Sequence, residues 1–426
     1  MISAWVSARL ADRGIHYGWV MVAVTFFTAL VSSASVGAPG VFILPLEKEF
    51  GWSTTQISSA LSIRLLLFGL MAPFAAALMV RFGLRNVVMS ALTIITIGLL
   101  ASLAMTEAWH LIALWGFVVG FGTGMTAMVL GATVATRWFT AHRGLVVGIL
   151  AASVATGQLI FLPVMAYLTE AFGWRAAMGT MCVMLAIAAV MVLLFMSDRP
   201  SDLGLRPVGD DGTSPVPVVP PATSIISAAF AALRDASKTR VFWILFGTFF
   251  VCGASTNGLV QTHFIPMCAD FGISTTMSAS LLAAMGIFDF VGTIASGWLS
   301  DRYNNRWLLF WYYGLRGLSL VFLPFTDFSF YGLSLFAVFY GLDWIATVPP
   351  TVKLTAKHFG PERAAMVFGW IFVGHQLGSA TAAFGAGLTR TLYESYLPAF
   401  FVAGVLCLIA AAVMMLLRTG PKAATA

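Results

Sequence analysis

The chain has 426 residues, of which 59% are hydrophobic and 9% charged, with a formal net charge of +6. A soluble domain carries about 25% charged residues, so a water-covered globule is excluded and hydrocarbon must be the solvent for much of the surface. A basic balance also fits a nucleic-acid binder, but the placement of Lys and Arg described below explains it as membrane topology, and no nucleic-acid partner is expected.

A spanning helix needs about 20 apolar residues. Six such runs precede residue 197, at 18–42, 54–79, 86–106, 110–136, 144–168 and 174–196. The first lacks a small-residue cleavage site and reads as a span rather than a signal peptide. A segment from Ser197 to Arg240 follows. Its stretch Asp198 to Pro221 is rich in Pro and Asp and reads as a flexible linker, whereas Ser224 to Lys238 reads as a short amphipathic helix on the membrane surface. Six further runs lie at 241–264, 276–299, 307–325, 329–352, 364–389 and 396–417. The expected organisation is therefore all-α: a six-helix bundle over 1–196, a cytoplasmic linker over 197–240, and a second six-helix bundle over 241–426. Cys182, Cys252, Cys268 and Cys407 fall in or at the ends of apolar runs without ligand spacing, so they read as small core residues and no metal is expected.

With both termini in the cytoplasm, eighteen of the 23 Lys and Arg residues lie inside, three lie outside and two lie within spans. That asymmetry supports the count of twelve and the orientation together.

The two halves carry traces of one repeat. Gly297-Trp298-Leu299-Ser300-Asp301-Arg302-Tyr303-Asn304-Asn305-Arg306 follows span eight, and Ala76-Ala77-Leu78-Met79-Val80-Arg81-Phe82-Gly83-Leu84-Arg85 follows span two. Both resemble the loop signature Gly-x-Leu-x-Asp-Arg-x-Gly-Arg-Arg of the major facilitator superfamily, the first copy having Val80 in place of the acid. Asp301, Arg302 and Arg306 are candidates for a gating loop, together with Arg81 and Arg85, for which topology alone is the better explanation. Gly40-Val41-Phe42-Ile43-Leu44-Pro45-Leu46 with Glu49-Phe50-Gly51-Trp52-Ser53, then Arg137-Trp138-Phe139 with Arg143-Gly144-Leu145, and Gly173-Trp174-Arg175 are similar to the monocarboxylate and oxalate/formate transporter branch. The resemblance implies twelve helices in two pseudo-symmetric bundles, and transport of a small carboxylate. This sequence departs from that branch in two places: the arginine expected four residues after Asp289 is Thr293, and span one offers no lysine.

Five ionisable residues fall well inside spans: Arg64, Asp289, Arg316, Asp343 and His375. Such groups are costly in hydrocarbon, by about 2.5–3.5 kcal/mol each, and tend to be functional. Arg64 has no acid in its own half. Two roles are open to it, holding a substrate carboxylate bidentately or pairing with an aspartate of the other half. Arg316 lies on a peripheral span and is expected to form a structural charge pair with Asp289 or Asp343. Asp289, Asp343 and His375 are the candidates for proton coupling. Asn257 and Gln261, one helical turn apart in span seven, are expected to add hydrogen bonds to a substrate pocket that Trp344 and Gln376 help to shape. Glycines of span four, among them Gly116, Gly120, Gly122 and Gly124, are read as close-packing positions.

The function expected is secondary active uptake of a small organic anion coupled to protons by alternating access, from a site at the midplane between the halves. A proton-driven exporter of drugs or metabolites is the alternative, and a non-transporting membrane sensor a further one. No enzyme constellation is apparent, and the nucleotide-binding Gly-Lys motif is missing, so neither a cofactor nor ATP is expected. The chain is expected to act as a monomer in a bacterial inner membrane.

Overall fold

The computed structural model describes residues 2–126, 128–141, 143–210 and 222–417. The described residues are helical nearly throughout, and ten segments carry a window long and apolar enough to cross a bilayer. The first half runs through Gly18–Gly37 continued by Pro39–Phe50, then Thr54–Phe82, Leu84–Ser102, the composite span from Ala108 to Trp138, Arg143–Phe172 and Trp174–Phe195. The second runs through a composite span from Arg240 to Asp270, then Thr275–Arg302, Asn305–Phe322, Phe330–Asp343 continued by Val348–Phe359, Pro361–Tyr393 and Leu397–Met414. Outward-facing Phe290, Ile294, Phe322 and Phe339 are more than half exposed, as expected of side chains that meet lipid.

The repeat is longer than the loop signature. Phe50-Gly51-Trp52-Ser53-Thr54-Thr55 recurs as Phe271-Gly272-Ile273-Ser274-Thr275-Thr276, and Pro45 recurs as Pro266, each 221 residues on, the same offset that relates Arg81 to Arg302. Local chemistry explains the motif. Gly51 and Gly272 end one helix with φ of 68° and 77°, a region that disfavours side chains. Ser53 and Ser274 then start the next helix, accepting from the backbone N–H groups of Gln56 and Met277. Gln56 returns a bond to the Ser53 N–H, completing a capping box.

Four spans are interrupted among the described residues. Span one turns at Ala38 before Pro39, spans four and seven have π-helical turns over Ile112–Val119 and Ala254–Gln261, and span ten breaks between Asp343 and Val348 ahead of Pro349 and Pro350. The glycines of span four let it press on its neighbours: a Cβ at Gly120 would lie 3.0 Å from the Arg64 Cα, and one at Gly124 would lie 2.6 Å from the Met71 Cβ.

The segment after span six is partly docked. Asp198 accepts from the Arg85 N–H at 2.8 Å, Pro200 is buried, and Val208 exchanges backbone bonds with Trp138 and Thr140. The expectation of a flexible linker from Asp198 is therefore corrected for Ser197 to Asp210, where backbone and carboxylate bonds hold it to the first half. Residues 211–221 lie outside the described residues. The expected surface helix is present as Ala222–Ala236, with Phe230 set between Phe74 of span two and Trp370 of span eleven.

Replacing Ser274 by Ala is expected to cost about 1 kcal/mol through loss of the helix cap, with Ser274→Asp close to neutral. Denaturant midpoints of the purified protein in mild detergent check this.

Candidate functional site

The deep charges gather mainly at the break in span ten. A helix that stops inside the membrane leaves carbonyl and N–H groups without partners, and these must be satisfied by side chains. Arg316 reaches in from span nine. Its Nε donates to the Asp343 carboxylate at 2.7 Å, and its Nη2 donates to the backbone carbonyls of Asp343 and, at 3.0 Å, Trp344. Its Nη1 lies 3.1 Å from the Cys252 Sγ. From the other side Asp289 accepts the Ile345 N–H at 2.9 Å and the Thr293 hydroxyl at 2.9 Å. Ser296 donates to the Ala346 carbonyl at 2.5 Å. The break is thus held by an arginine on its carbonyl side and an aspartate on its amide side, both buried.

Of the two acids open to Arg316, Asp343 is the one it pairs with, and Asp289 is tied to Thr293 and the backbone instead. Thr293, which stands where the resembled branch has arginine, serves as a hydrogen-bond donor to Asp289. One carboxylate oxygen of Asp343, Oδ1, is buried without a hydrogen bond among the described residues. Trp344 is buried edge-on against Tyr340, whose hydroxyl donates to the Ser255 carbonyl at 2.7 Å.

Arg64 has no carboxylate partner among the described residues, from either half, and its Nε is buried without a hydrogen bond among them. Its Nη1 donates to the Ser35 carbonyl at 2.6 Å and its Nη2 to the Val36 carbonyl at 3.0 Å. Pro39 has no N–H, so the carbonyl four residues earlier, Ser35, has lost its helical partner, and Arg64 replaces it. Beside the guanidinium lies a cavity of about 10 Å³, lined by Ser35, Pro39, Trp115 and Met181 among others, all of the first half. That space suits one water molecule.

The remaining candidates scatter. His375 is buried between Phe249 and Phe372, its Nδ1 without a partner among the described residues. Gln376 packs against Gly69 of span two, where a Cβ would come within 2.4 Å of it, so it sits on the seam between halves. Its Oε1 is buried and unbonded among the described residues. Asn257 is half-buried and Gln261 buried, both in the π-helical turn, so the α-helical spacing assumed for them is replaced by a wider turn closed i to i+5. Arg302 stacks over Trp298 at 4.0 Å, Arg306 donates to the Leu417 carbonyl at 2.7 Å, Arg81 lies 5.4 Å from the Phe82 ring and Arg85 bonds to the Leu193 carbonyl. The side chains of Asp301 and Arg143 lie outside the described residues.

Sequence reasoning passed over Cys252, Ser255, Tyr340 and Thr347, which complete the polar cluster around Arg316; Cys252 and Thr347 lie 3.2 Å apart. The one available signal was Tyr340, a helical turn before Asp343. It also passed over His263, fully buried in span seven and donating from Nε2 to the Ala383 carbonyl at 2.9 Å.

On the side away from the termini, two of the bonded contacts that join the halves are related by the repeat. Thr55 donates to the hydroxyl of Thr391 at 2.8 Å, and Thr276 donates from N to the Glu170 carboxylate at 3.0 Å and also from its hydroxyl. Each residue of the second contact corresponds to one of the first at the 221-residue offset. Val41, Leu162 and Ala166 of the first half join a core cluster with Leu259, Phe264 and Leu282 of the second.

The sequence model of the Major Facilitator Superfamily matches residues 25–383 and 264–426. An MFS-type transporter named YcxA from Bacillus subtilis is 22% identical over 388 residues, covering 89% of this chain and 90% of its own. Monocarboxylate transporter 13 of Rattus norvegicus is 25% identical over 404 residues, covering 94% and 89%. Among solved structures, the xylose transporter XylE from E. coli superposes with a TM-score of 0.71 at 14% identity, over 96% of this chain and 100% of that one. A bacterial homologue of the human lysosomal transporter Spinster superposes with a TM-score of 0.72 at 16% identity, over 93% and 96%. The chain belongs to the Major Facilitator Superfamily and has its fold. It is a multi-pass membrane transporter, not an enzyme.

Removing one partner of the buried pair, as in Asp343→Leu or Arg316→Met, is expected to destabilise the protein by about 3–5 kcal/mol, because it strands the other charge. The double variant Asp343→Leu/Arg316→Met should recover part of that loss, though the carbonyls of the break stay uncapped. Unfolding midpoints of the four proteins, read as a double-mutant cycle, measure it.

Proposed function

We propose that this transporter takes up a small organic anion together with protons by alternating access, and that the Arg316–Asp343 pair is where the two are coupled. The observation that carries the reading is that pair, buried at the broken span with its arginine tied to the Asp343 and Trp344 carbonyls. A carboxylate shares the guanidinium with Asp343 only if one of the two acids gives up its charge. Protonation of Asp343 removes its claim on Nε, while the Asp343 and Trp344 carbonyls keep the guanidinium in place for the incoming anion. Release of the anion reverses the exchange. In this reading Asp289 and His375 lie on the proton's route, Trp344, Asn257, Gln261 and Gln376 shape the pocket, and Arg64 braces the kink of span one. The curated relatives named monocarboxylate transporters support the carboxylate class. The charge asymmetry of the loops supports cytoplasmic termini in a bacterial inner membrane. The paired contacts Thr55–Thr391 and Thr276–Glu170 are read as the closed outer gate of an inward-facing or occluded state, within a monomer.

One observation favours the exporter reading as a second. Both deep arginines already have carbonyl partners, and the branch's own arginine is Thr293.

Liposomes loaded with a pH dye separate the two. Acid-driven proton entry on adding mono- or dicarboxylates, reduced at least about tenfold in Asp343→Asn while anion exchange persists, supports the coupled uptake. Proton flux with lipophilic cations and with no carboxylate overturns it. The gate has its own test. Glu170→Ala combined with Thr391→Ala is expected to raise labelling of an Asn257→Cys probe by a membrane-impermeant maleimide from the outer side, and unchanged labelling speaks against these bonds holding the gate.

A further inference from the structure

The loop between spans eight and nine closes over a cavity of about 280 Å³ that the transport reading does not use. It lies on the side of the termini and is lined by Tyr303, Asn304, Arg306, Lys357, His358 and Leu417, with no acid in its wall among the described residues; the side chains of Asp301 and Glu362 lie outside them. Three observations give it a ligand chemistry. First, the charged side chains described in its wall are all basic. Arg306 is tied by Nη1 to the Leu417 carbonyl, while its Nε is buried without a partner among the described residues. His358 donates from Nδ1 to the Leu354 carbonyl at 2.8 Å, so its Nε2 can donate to an anion in the cavity only as the imidazolium.

Second, the other half shows what the same place holds when an anion is built in. At the 221-residue offset Arg306 corresponds to Arg85 and His358 to Arg137. Arg85 likewise bonds a carbonyl at the end of the last span of its half, that of Leu193. There the space is filled by Asp198. Its carboxylate accepts the Arg85 N–H at 2.8 Å and presses on Gly83, and Arg137 donates to the Asp198 backbone carbonyl at 3.4 Å, within Coulombic reach of the acid. The counterpart of Asp198 in sequence is Thr419, and no Asp or Glu follows Glu394. In the second half Asn304, the counterpart of Gly83, accepts the Arg306 N–H at 3.0 Å, so the basic wall is kept while the acceptor beside it is a neutral amide instead of a carboxylate.

Third, the cavity sits at the height of an aromatic rim. Tyr303 and Trp307 beside it are 59% and 45% exposed, and Trp298 and Trp311 are exposed close by in sequence. Exposed Trp and Tyr at helix ends mark the headgroup layer, and basic pockets at that depth suit phosphate-bearing headgroups.

We propose that this cavity is a binding site for a phosphate-bearing anion, the headgroup of an anionic phospholipid, which supplies the negative charge that Asp198 supplies in the first half. The occupant would bridge Arg306 of the loop to Lys357 and His358 at the end of span ten, so lipid binding would hold the loop against the broken span.

Native mass spectrometry of the full chain, released from detergent with phosphatidylglycerol and phosphatidylcholine in equal amounts, tests it. The expected result is one phosphatidylglycerol retained in preference to phosphatidylcholine, with occupancy falling about fivefold or more in Lys357→Gln/His358→Gln. Lys238→Gln, a charge removed from the same side, should leave it unchanged. Arg306→Gln should act like the double variant, and the double variant keeps the test sound if loss of the Leu417 tie unfolds the loop. Displacement by millimolar inorganic phosphate would retain the phosphate chemistry and assign the source to a soluble phosphate. Equal retention of the two lipids, an undiminished signal in the double variant, or an equal fall in Lys238→Gln would overturn the proposal.

Discussion

Backbone without a partner is what hydrocarbon does not tolerate, and the organisation of this transporter follows from how its broken helices meet that demand. Span one turns at a proline and span ten stops ahead of two. At each break a guanidinium takes the freed carbonyls: Arg64 on Ser35 and Val36, and Arg316 on Asp343 and Trp344. Arginine suits this task because its planar fork carries several donors and stays charged. The cost is a buried positive charge, and the two halves meet it differently. In the second half Asp343 neutralises Arg316. In the first half no described carboxylate reaches Arg64, which rests on carbonyl dipoles alone.

That difference is part of a wider pattern in which one repeat has been written twice and then specialised. The caps on spans two and eight, the positive-φ glycines before them and the outer contacts between halves remain superposable at one offset. The changes are concentrated in charge. Glu170 faces Thr276 where Thr391 faces Thr55. Asp198 accepts the Arg85 N–H with a carboxylate, where the neutral Asn304 accepts that of Arg306. In the proposed mechanism the symmetric scaffold supplies two halves that rock about a shared seam, and the asymmetric charges give that motion something to respond to.

Much of the scaffold was legible because hydropathy and charge add up along the chain. The spans, the surface helix near residue 230 and the resemblance to the superfamily all come from local runs. Part of the site was legible for a similar reason: an ionisable residue inside an apolar run stands out whatever surrounds it, which is how Arg64, Asp289, Arg316, Asp343 and His375 were found. Their partners were another matter. Arg64 ends on carbonyls exposed by a proline 25 residues away in sequence, and backbone acceptors leave no trace in composition. The 221-residue offset was visible at one loop, yet its extent through the caps showed only when the paired contacts were seen together.

The sequence by itself determined that the chain lives in a membrane, how many times it crosses and which side chains are expensive to bury. Each of these is set by the transfer of single residues or short runs between water and hydrocarbon. Tertiary structure alone decided that Arg316 meets Asp343 rather than Asp289, that Arg64 turns into its own half and that a basic cavity opens beside Arg306. Those outcomes depend on how each helix is rotated and how closely its neighbours approach, and that is fixed by packing among residues far apart in the chain.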